Sequence, residues 1–182
     1  MNLPNKLTVG RMIAVPFFIL AYLFDCNLVA LIIFILASFT DMLDGKIARK
    51  RNLVTNFGKI MDPLADKILV YSAFCLMVPE YVPSWMLIII LSREFLVAGV
   101  RTVAASEGIV IAAQMSGKIK TVIQMIAVPL LLLLPVTEGL DKASYLYGIN
   151  YISAMALLWG ALIMTVYSGA EYAIKNKEVF KQ

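Results

Sequence analysis

Six apolar runs occupy most of this chain, and each is long enough to cross a bilayer as a helix. They cover residues 9–24, 28–45, 60–79, 84–104, 119–135 and 148–172. The hydrocarbon core calls for stretches of roughly 17–25 apolar residues. In lipid every backbone polar group must be bonded within the chain, which leaves helices or a closed barrel. Runs this long select helices. The expected fold is an all-α integral membrane protein with six transmembrane helices, its 182 residues forming a single membrane domain. The first run lacks a small-residue cleavage site and leads through Asp25-Cys26-Asn27 into a second span, so it is not read as a signal peptide.

The basic residues orient this bundle. Fourteen of the sixteen Lys and Arg flank the start of span one, the links between spans two and three and between four and five, or the tail. The opposite connections hold Asp25, Glu80, Glu138 and Asp141, with Lys142 alone against them. Lys and Arg favour the cytoplasmic side, so both termini are expected there. The net charge of +4 reflects this topology and anionic headgroups rather than a nucleic-acid partner. Residues 1–9 are expected to lie along the interface as a short segment before the chain turns inward. Pro79 and Pro83 bracket a short external turn, and residues 137–148 read as a longer external loop. Trp85, Tyr81, Tyr145 and Tyr147 read as an external aromatic belt. Gly160 and Gly169 would permit close helix contacts, a hint of a dimer interface.

Against this apolar background, four of the six aspartates fall within residues 41–66. Carboxylates near lipid are costly and usually functional. The pattern is Asp41-x2-Asp44-Gly45-x2-Ala48-Arg49-x8-Gly58-x3-Asp62-x3-Asp66. On a helix Asp41, Asp44 and Ala48 share one face, as do Asp62 and Asp66. Pro63 suits an early helical position, where no N–H bond is lost. Two carboxylates about 4 Å apart repel by about 1 kcal/mol in water and about 4 kcal/mol at an effective dielectric near 20. Hard divalent ions suit such oxygen ligands. Two ions would fit four carboxylates and can hold both the attacked phosphate and its leaving group. The residues alone leave open a set of structural ion pairs with Lys46, Arg49 and Lys59.

Several chemistries are excluded or disfavoured. With no histidine there is no His base, no His–zinc site and no Ser-His triad. Cys26 and Cys75 are isolated, so neither a disulfide framework nor a paired metal motif is expected. A divalent-cation transporter would place carboxylates at mid-span, whereas this motif falls at helix ends on the basic side. A prenyltransferase of the Asp-Asp-x-x-Asp type would need adjacent aspartates, and there are none.

The eight-position pattern resembles the signature of the CDP-alcohol phosphotransferase family, with no position missing. The segment Asn2 to Thr8 with Arg11 resembles the family's N-terminal segment. Ser92-Arg93-Glu94-Phe95, Arg101, and Gly117-Lys118-Ile119-Lys120-Thr121 with Gln124 resemble the branch that makes phosphatidylglycerophosphate. The resemblance implies six transmembrane helices, a homodimer, and a bacterial plasma-membrane location with a cytoplasmic metal site. It implies transfer of the phosphatidyl group of CDP-diacylglycerol to sn-glycerol 3-phosphate, with release of CMP and two Mg²⁺ or Mn²⁺ ions as cofactors. Inositol phosphate or serine is the alternative acceptor. By the same resemblance Asp41, Asp44, Asp62 and Asp66 hold metal, and Asp66 also acts as the base. Thr8, Gly45, Ala48, Arg49 and Gly58 are expected at CDP-diacylglycerol. The acceptor carries a phosphate dianion, for which Arg93, Arg101, Lys118 and Lys120 are the candidates. For Arg93 and Glu94 a structural pair is an equal alternative. Arg101 is favoured because it lies nearer the cytoplasmic side, and arginine grips phosphate through two parallel hydrogen bonds.

Overall fold

The computed structural model describes residues 2–50, 55–106, 108, 111–112, 114–141 and 144–176; the side chains of 3–4, 42–50, 56, 59–60 and 140–141 lie outside the description. Six helices follow one another: α1 (Leu3–Leu23), α2 (Asn27–Lys50), α3 (Asn56–Leu76), α4 (Ser84–Ser106), α5 (Met115–Asp141) and α6 (Tyr145–Lys175). Their 21 to 31 residues correspond to about 32–47 Å at 1.5 Å per residue.

Local chemistry sets the helix starts. The Asn2 side chain accepts the Asn5 N–H at 3.1 Å to begin α1. Thr55 accepts the Gly58 N–H at 3.0 Å to begin α3. Ser144 accepts the Tyr147 N–H at 3.2 Å to begin α6. Each cap satisfies a backbone donor left over by the first turn.

Four expectations are revised. Residues 3–9 form the opening turns of α1 and no separate interfacial segment, because the Asn2 cap starts the helix at Leu3. Pro63 lies inside α3 rather than at its start, because the Thr55 cap moves the start back to Asn56. The hydrogen-bond ladder therefore lacks one N–H beside Asp62. Much of the expected loop over 137–148 is helical, with α5 reaching Asp141 and α6 starting at Tyr145. Thr137 supports this extension by donating back to the carbonyls of Leu133 and Leu134. Tyr81 is buried and donates to Glu138 at 2.9 Å, so it leaves the exposed belt. Burial, then the Glu138 carboxylate, raises its hydroxyl well above the usual phenol range.

Apolar side chains cover the outside of the bundle and polar ones lie within it. Phe17, Phe95 and Ile152 are exposed, whereas Asn5, Thr8, Arg11, Glu94, Lys120 and Gln124 are buried. That distribution belongs to a membrane protein, in which charged groups face the bundle interior. By length and composition α1, α5 and α6 can cross a membrane on their own. In α2 the apolar stretch is shorter, Asn27–Asp41, and ends where the aspartates begin. The helices α3 and α4 carry the charges of the candidate site.

Helix α1 packs on α2 and α3, α5 packs on α2, α3 and α6, and α4 packs on α6. The shared core includes Phe18, Phe34, Leu69, Phe74, Leu131 and Leu158. The Phe18 and Phe34 rings lie 6.0 Å apart at 55°, a tilted pair joining α1 to α2. An apolar groove of about 600 Å³ runs between α3 and α4.

Phe34 is fully buried and Phe39 on the same helix is half exposed. Phe34→Ala should lower detergent-unfolding stability by less than the roughly 3–5 kcal/mol seen in water-soluble cores, since lipid is the alternative environment. Phe39→Ala should change it little. Equal effects of the two in a denaturation series would contradict the packing.

Candidate active site

The aspartate pattern lies on two helices, and α1 reaches both. Because α2 is unbroken to Lys50, Asp41 and Asp44 are three residues apart on a continuous helix. Likewise Asp62 and Asp66 are four apart on α3. The side chains of Asp44, Ala48 and Arg49 lie outside the described residues, and Gly45 is described only as backbone of α2. Asp41 Oδ1 accepts from Arg11 Nη1 at 2.5 Å. Asp62 Oδ1 accepts from the Thr8 hydroxyl at 2.5 Å, and Thr8 is fully buried. Gly58 is buried against α1: a Cβ there would come 3.3 Å from Asp62 Oδ2 and 3.4 Å from Asn5 Oδ1. Its missing side chain lets α1 and α3 approach each other. Thr8 and Gly58, expected at the nucleotide, thus lie under the carboxylates.

The donor set of these positions is oxygen only, which is the chemistry a hard divalent ion takes. Among the described residues no three acidic side chains are gathered as a metal site. Two of the three described aspartates are instead held by α1.

Asp66 has different surroundings. It borders a small cavity of about 40 Å³ between α3 and α5, with Tyr71, Glu94, Lys120 and Gln124. Gln124 is buried, and its Nε2 has no hydrogen-bond partner among the described residues.

Next to this cavity lies a larger, basic one of about 200 Å³. All four predicted acceptor cations, Arg93, Arg101, Lys118 and Lys120, border it, and Lys67 joins them. Among the described residues Glu94 is the single carboxylate in its wall, so the described lining is strongly positive. Lys67, Glu94, Lys120 and Thr121 are common to both cavities. Three buried polar atoms in the basic cavity's wall have no partner among the described residues: Arg93 Nε, Gln114 Oε1 and the Tyr172 hydroxyl. Buried polar groups are normally bonded, so several orphans in one wall suit a polar ligand.

Glu94 organises these cations. Helix α4 buries a stripe of Ile90, Glu94, Val97 and Val100, which turns Glu94 inward. Its Oε1 accepts from Arg93 Nη1 at 2.7 Å and from Lys120 Nζ, while Lys67 Nζ lies 3.3 Å from Oε2. One carboxylate thereby joins cations from α3, α4 and α5. The Arg93–Glu94 pair exists, but as part of this larger network.

Arg93 reaches the cavity because glycines clear its path. A Cβ on Gly169 would stand 3.0 Å from Arg93 Cγ, and one on Gly117 would stand 3.4 Å from Nη2. Gly169, read from sequence as a dimer-contact position, serves this passage within the chain. The Arg101 guanidinium carbon lies 5.7 Å from the centre of the Tyr172 ring, within cation–π range. Lys67, Gln114 and Tyr172 were not sequence candidates. Lys67 carried a signal, a charge directly after Asp66 in an apolar run. Gln114 and Tyr172 carried none.

The chain is similar to known proteins along nearly its whole length. A family model described as CDP-alcohol phosphatidyltransferase matches residues 1–167. A Bacillus subtilis (strain 168) protein named CDP-diacylglycerol–glycerol-3-phosphate 3-phosphatidyltransferase is 45% identical over 196 residues, covering 99% of this chain and 97% of that protein. A Rickettsia felis protein of the same name is 38% identical over 185 residues, covering 98% and 97%. A Mycobacterium tuberculosis protein named probable phosphatidylglycerophosphate synthase is 34% identical over 181 residues, covering 96% and 81%.

The Glu94 network makes a stability prediction. Removing one member of a buried charge network typically costs about 3–5 kcal/mol, because the remaining charges lose their partner. Glu94→Gln should destabilise the protein by an amount of that order, and adding Lys120→Met should restore part of it. A double variant no more stable than Glu94→Gln, measured by unfolding in detergent, would contradict the network.

Proposed function

The chain belongs to the CDP-alcohol phosphatidyltransferase family, and on that footing we propose that it transfers the phosphatidyl group of CDP-diacylglycerol to sn-glycerol 3-phosphate, releasing CMP. One observation carries the choice of acceptor. The cavity bordered by Arg93, Arg101, Lys118 and Lys120 adjoins the one bordered by Asp66. A phosphorylated alcohol fits this arrangement, with its phosphate among the cations and a hydroxyl toward Asp66. Serine would leave the cations without a phosphate.

The family uses divalent metal ions. We assign them to Asp41, Asp44, Asp62 and Asp66, as two Mg²⁺ or Mn²⁺ ions. Bound there, such ions supply Lewis-acid polarisation of the pyrophosphate and neutralise charge on the departing CMP. The remaining work falls to the side chains. Asp66 in its ionised form accepts the proton of the acceptor hydroxyl. The hydroxyl oxygen forms a bond to the phosphatidyl phosphorus, and the bond from that phosphorus to the CMP oxygen breaks. The displacement is direct, because no Ser, Cys or His is placed as a nucleophile. Arg101 and Lys118 grip the acceptor phosphate, and the Glu94 network holds Lys120 and Arg93 in register. Small residues at Gly45 and Ala48 leave room for the nucleotide, and Arg49 contacts its phosphate or braces an aspartate.

The groove between α3 and α4 gives the acyl chains a path. It shares Lys67, Glu94 and Ala98 with the basic cavity, so a lipid there would bring its phosphate to the site. By the distribution of Lys and Arg, both termini and the site face the cytoplasm, and we place the protein in a bacterial plasma membrane as a homodimer.

The test is CMP release from CDP-diacylglycerol with Mg²⁺, comparing sn-glycerol 3-phosphate, inositol phosphate and serine. Only the first should support turnover; release driven by another acceptor would overturn the assignment of the basic cavity. Asp66→Asn should lose about 10²–10⁴-fold in kcat while still binding CDP-diacylglycerol. Arg101→Ala and Lys118→Ala should raise KM for the acceptor and leave KM for CDP-diacylglycerol nearly unchanged. Full activity of Asp66→Asn would remove it as the base.

A further inference from the structure

The first four turns of α1 carry three buried polar residues at a spacing of three: Asn5, Thr8 and Arg11. Each meets a different part of the aspartate-bearing helices. Asn5 Oδ1 accepts from the Thr55 hydroxyl at 2.9 Å, and Thr55 in turn caps α3. Thr8 donates to Asp62, and Arg11 donates to Asp41. The Arg11 side chain is fully buried, although arginine is seldom found buried unless paired.

We infer that Thr8 and Arg11 are positioning residues that set the carboxylates of Asp62 and Asp41, so that α1 fixes how far apart α2 and α3 present them. This rests on the reading that those aspartates hold metal. Three features favour it. Helix α1 packs on both α2 and α3, so it can set their separation. Each bond uses Oδ1 of its aspartate, leaving Oδ2 outside these two contacts. Arginine presents its donors in a rigid planar fork, so a buried one fixes the direction of the Asp41 oxygen it holds. Outer partners of this kind orient metal ligands, and their loss typically weakens metal affinity 10–100-fold. A role of Thr8 in contacting the nucleotide fits the geometry less well, because its hydroxyl is directed to Asp62 and the residue is fully buried.

The test is Mn²⁺ binding to the full-length protein in detergent, without substrate, followed by loss of the free-ion EPR signal. Thr8→Val and Arg11→Met should bind Mn²⁺ about 10–100-fold more weakly than the wild type. Thr8→Ser, which keeps the hydroxyl, should stay close to the wild type, and Arg11→Lys should fall between. Wild-type affinity in Thr8→Val would overturn the proposal, as would tighter binding in Arg11→Met, which would make Arg11 a competitor of the metal. Should Arg11→Met fail to fold, the Thr8 pair decides the matter. A wild-type protein that takes up no Mn²⁺ would instead sink the metal reading itself, and the proposal with it.

Discussion

Charge inside an apolar bundle has to be partnered, and that constraint arranges this protein. Lipid is as apolar as the side chains it surrounds, so apolar packing alone discriminates weakly between helix arrangements. Polar joints discriminate strongly, because an unpartnered buried charge is costly. Two joints hold the buried charged side chains among the described residues. The first ties α1 to α2 and α3 through Arg11–Asp41 and Thr8–Asp62. The second ties α3, α4 and α5 together through Glu94 and its three cations. Helix α3 belongs to both, and it alone carries Asp62, Asp66 and Lys67.

That division separates acidic from basic chemistry along one helix. Asp62 faces α1, whereas Asp66, one turn on, borders the cavity shared with Lys120 and Gln124. Lys67 borders that cavity, the basic one and the apolar groove. A nucleotide-linked lipid and a phosphorylated alcohol need these three environments side by side: oxygen ligands for cations, a positive pocket and an apolar path. The meeting point is Lys67 and Glu94, held by their mutual ion pair.

The fold and part of the site were legible because their signals are local. Apolar run length fixed six helices, and the three- and four-residue spacing of the aspartates survives on unbroken α2 and α3. Arg93 and Arg101 lie on α4 and Lys118 and Lys120 on α5, and all four border one cavity. What stayed illegible depends on contacts between distant helices. That Gly169 makes room for Arg93 shows only in the approach of α4 to α6. Tyr81 looked like a belt residue until α5 was found to extend to Glu138 beside it. Pro63 and the loop over 137–148 were misplaced because caps and back-bonding hydroxyls, rather than hydropathy, set helix ends.

In the proposed reaction the basic cavity next to Asp66 receives the phosphorylated acceptor. The most direct measurement is an experimental structure of the protein with sn-glycerol 3-phosphate bound. The phosphate should lie among Arg101, Lys118 and Lys120, with a free hydroxyl within hydrogen-bond reach of Asp66, about 2.6–3.2 Å. Phosphate bound elsewhere, or a bound acceptor whose hydroxyls all lie beyond reach of Asp66, would contradict it.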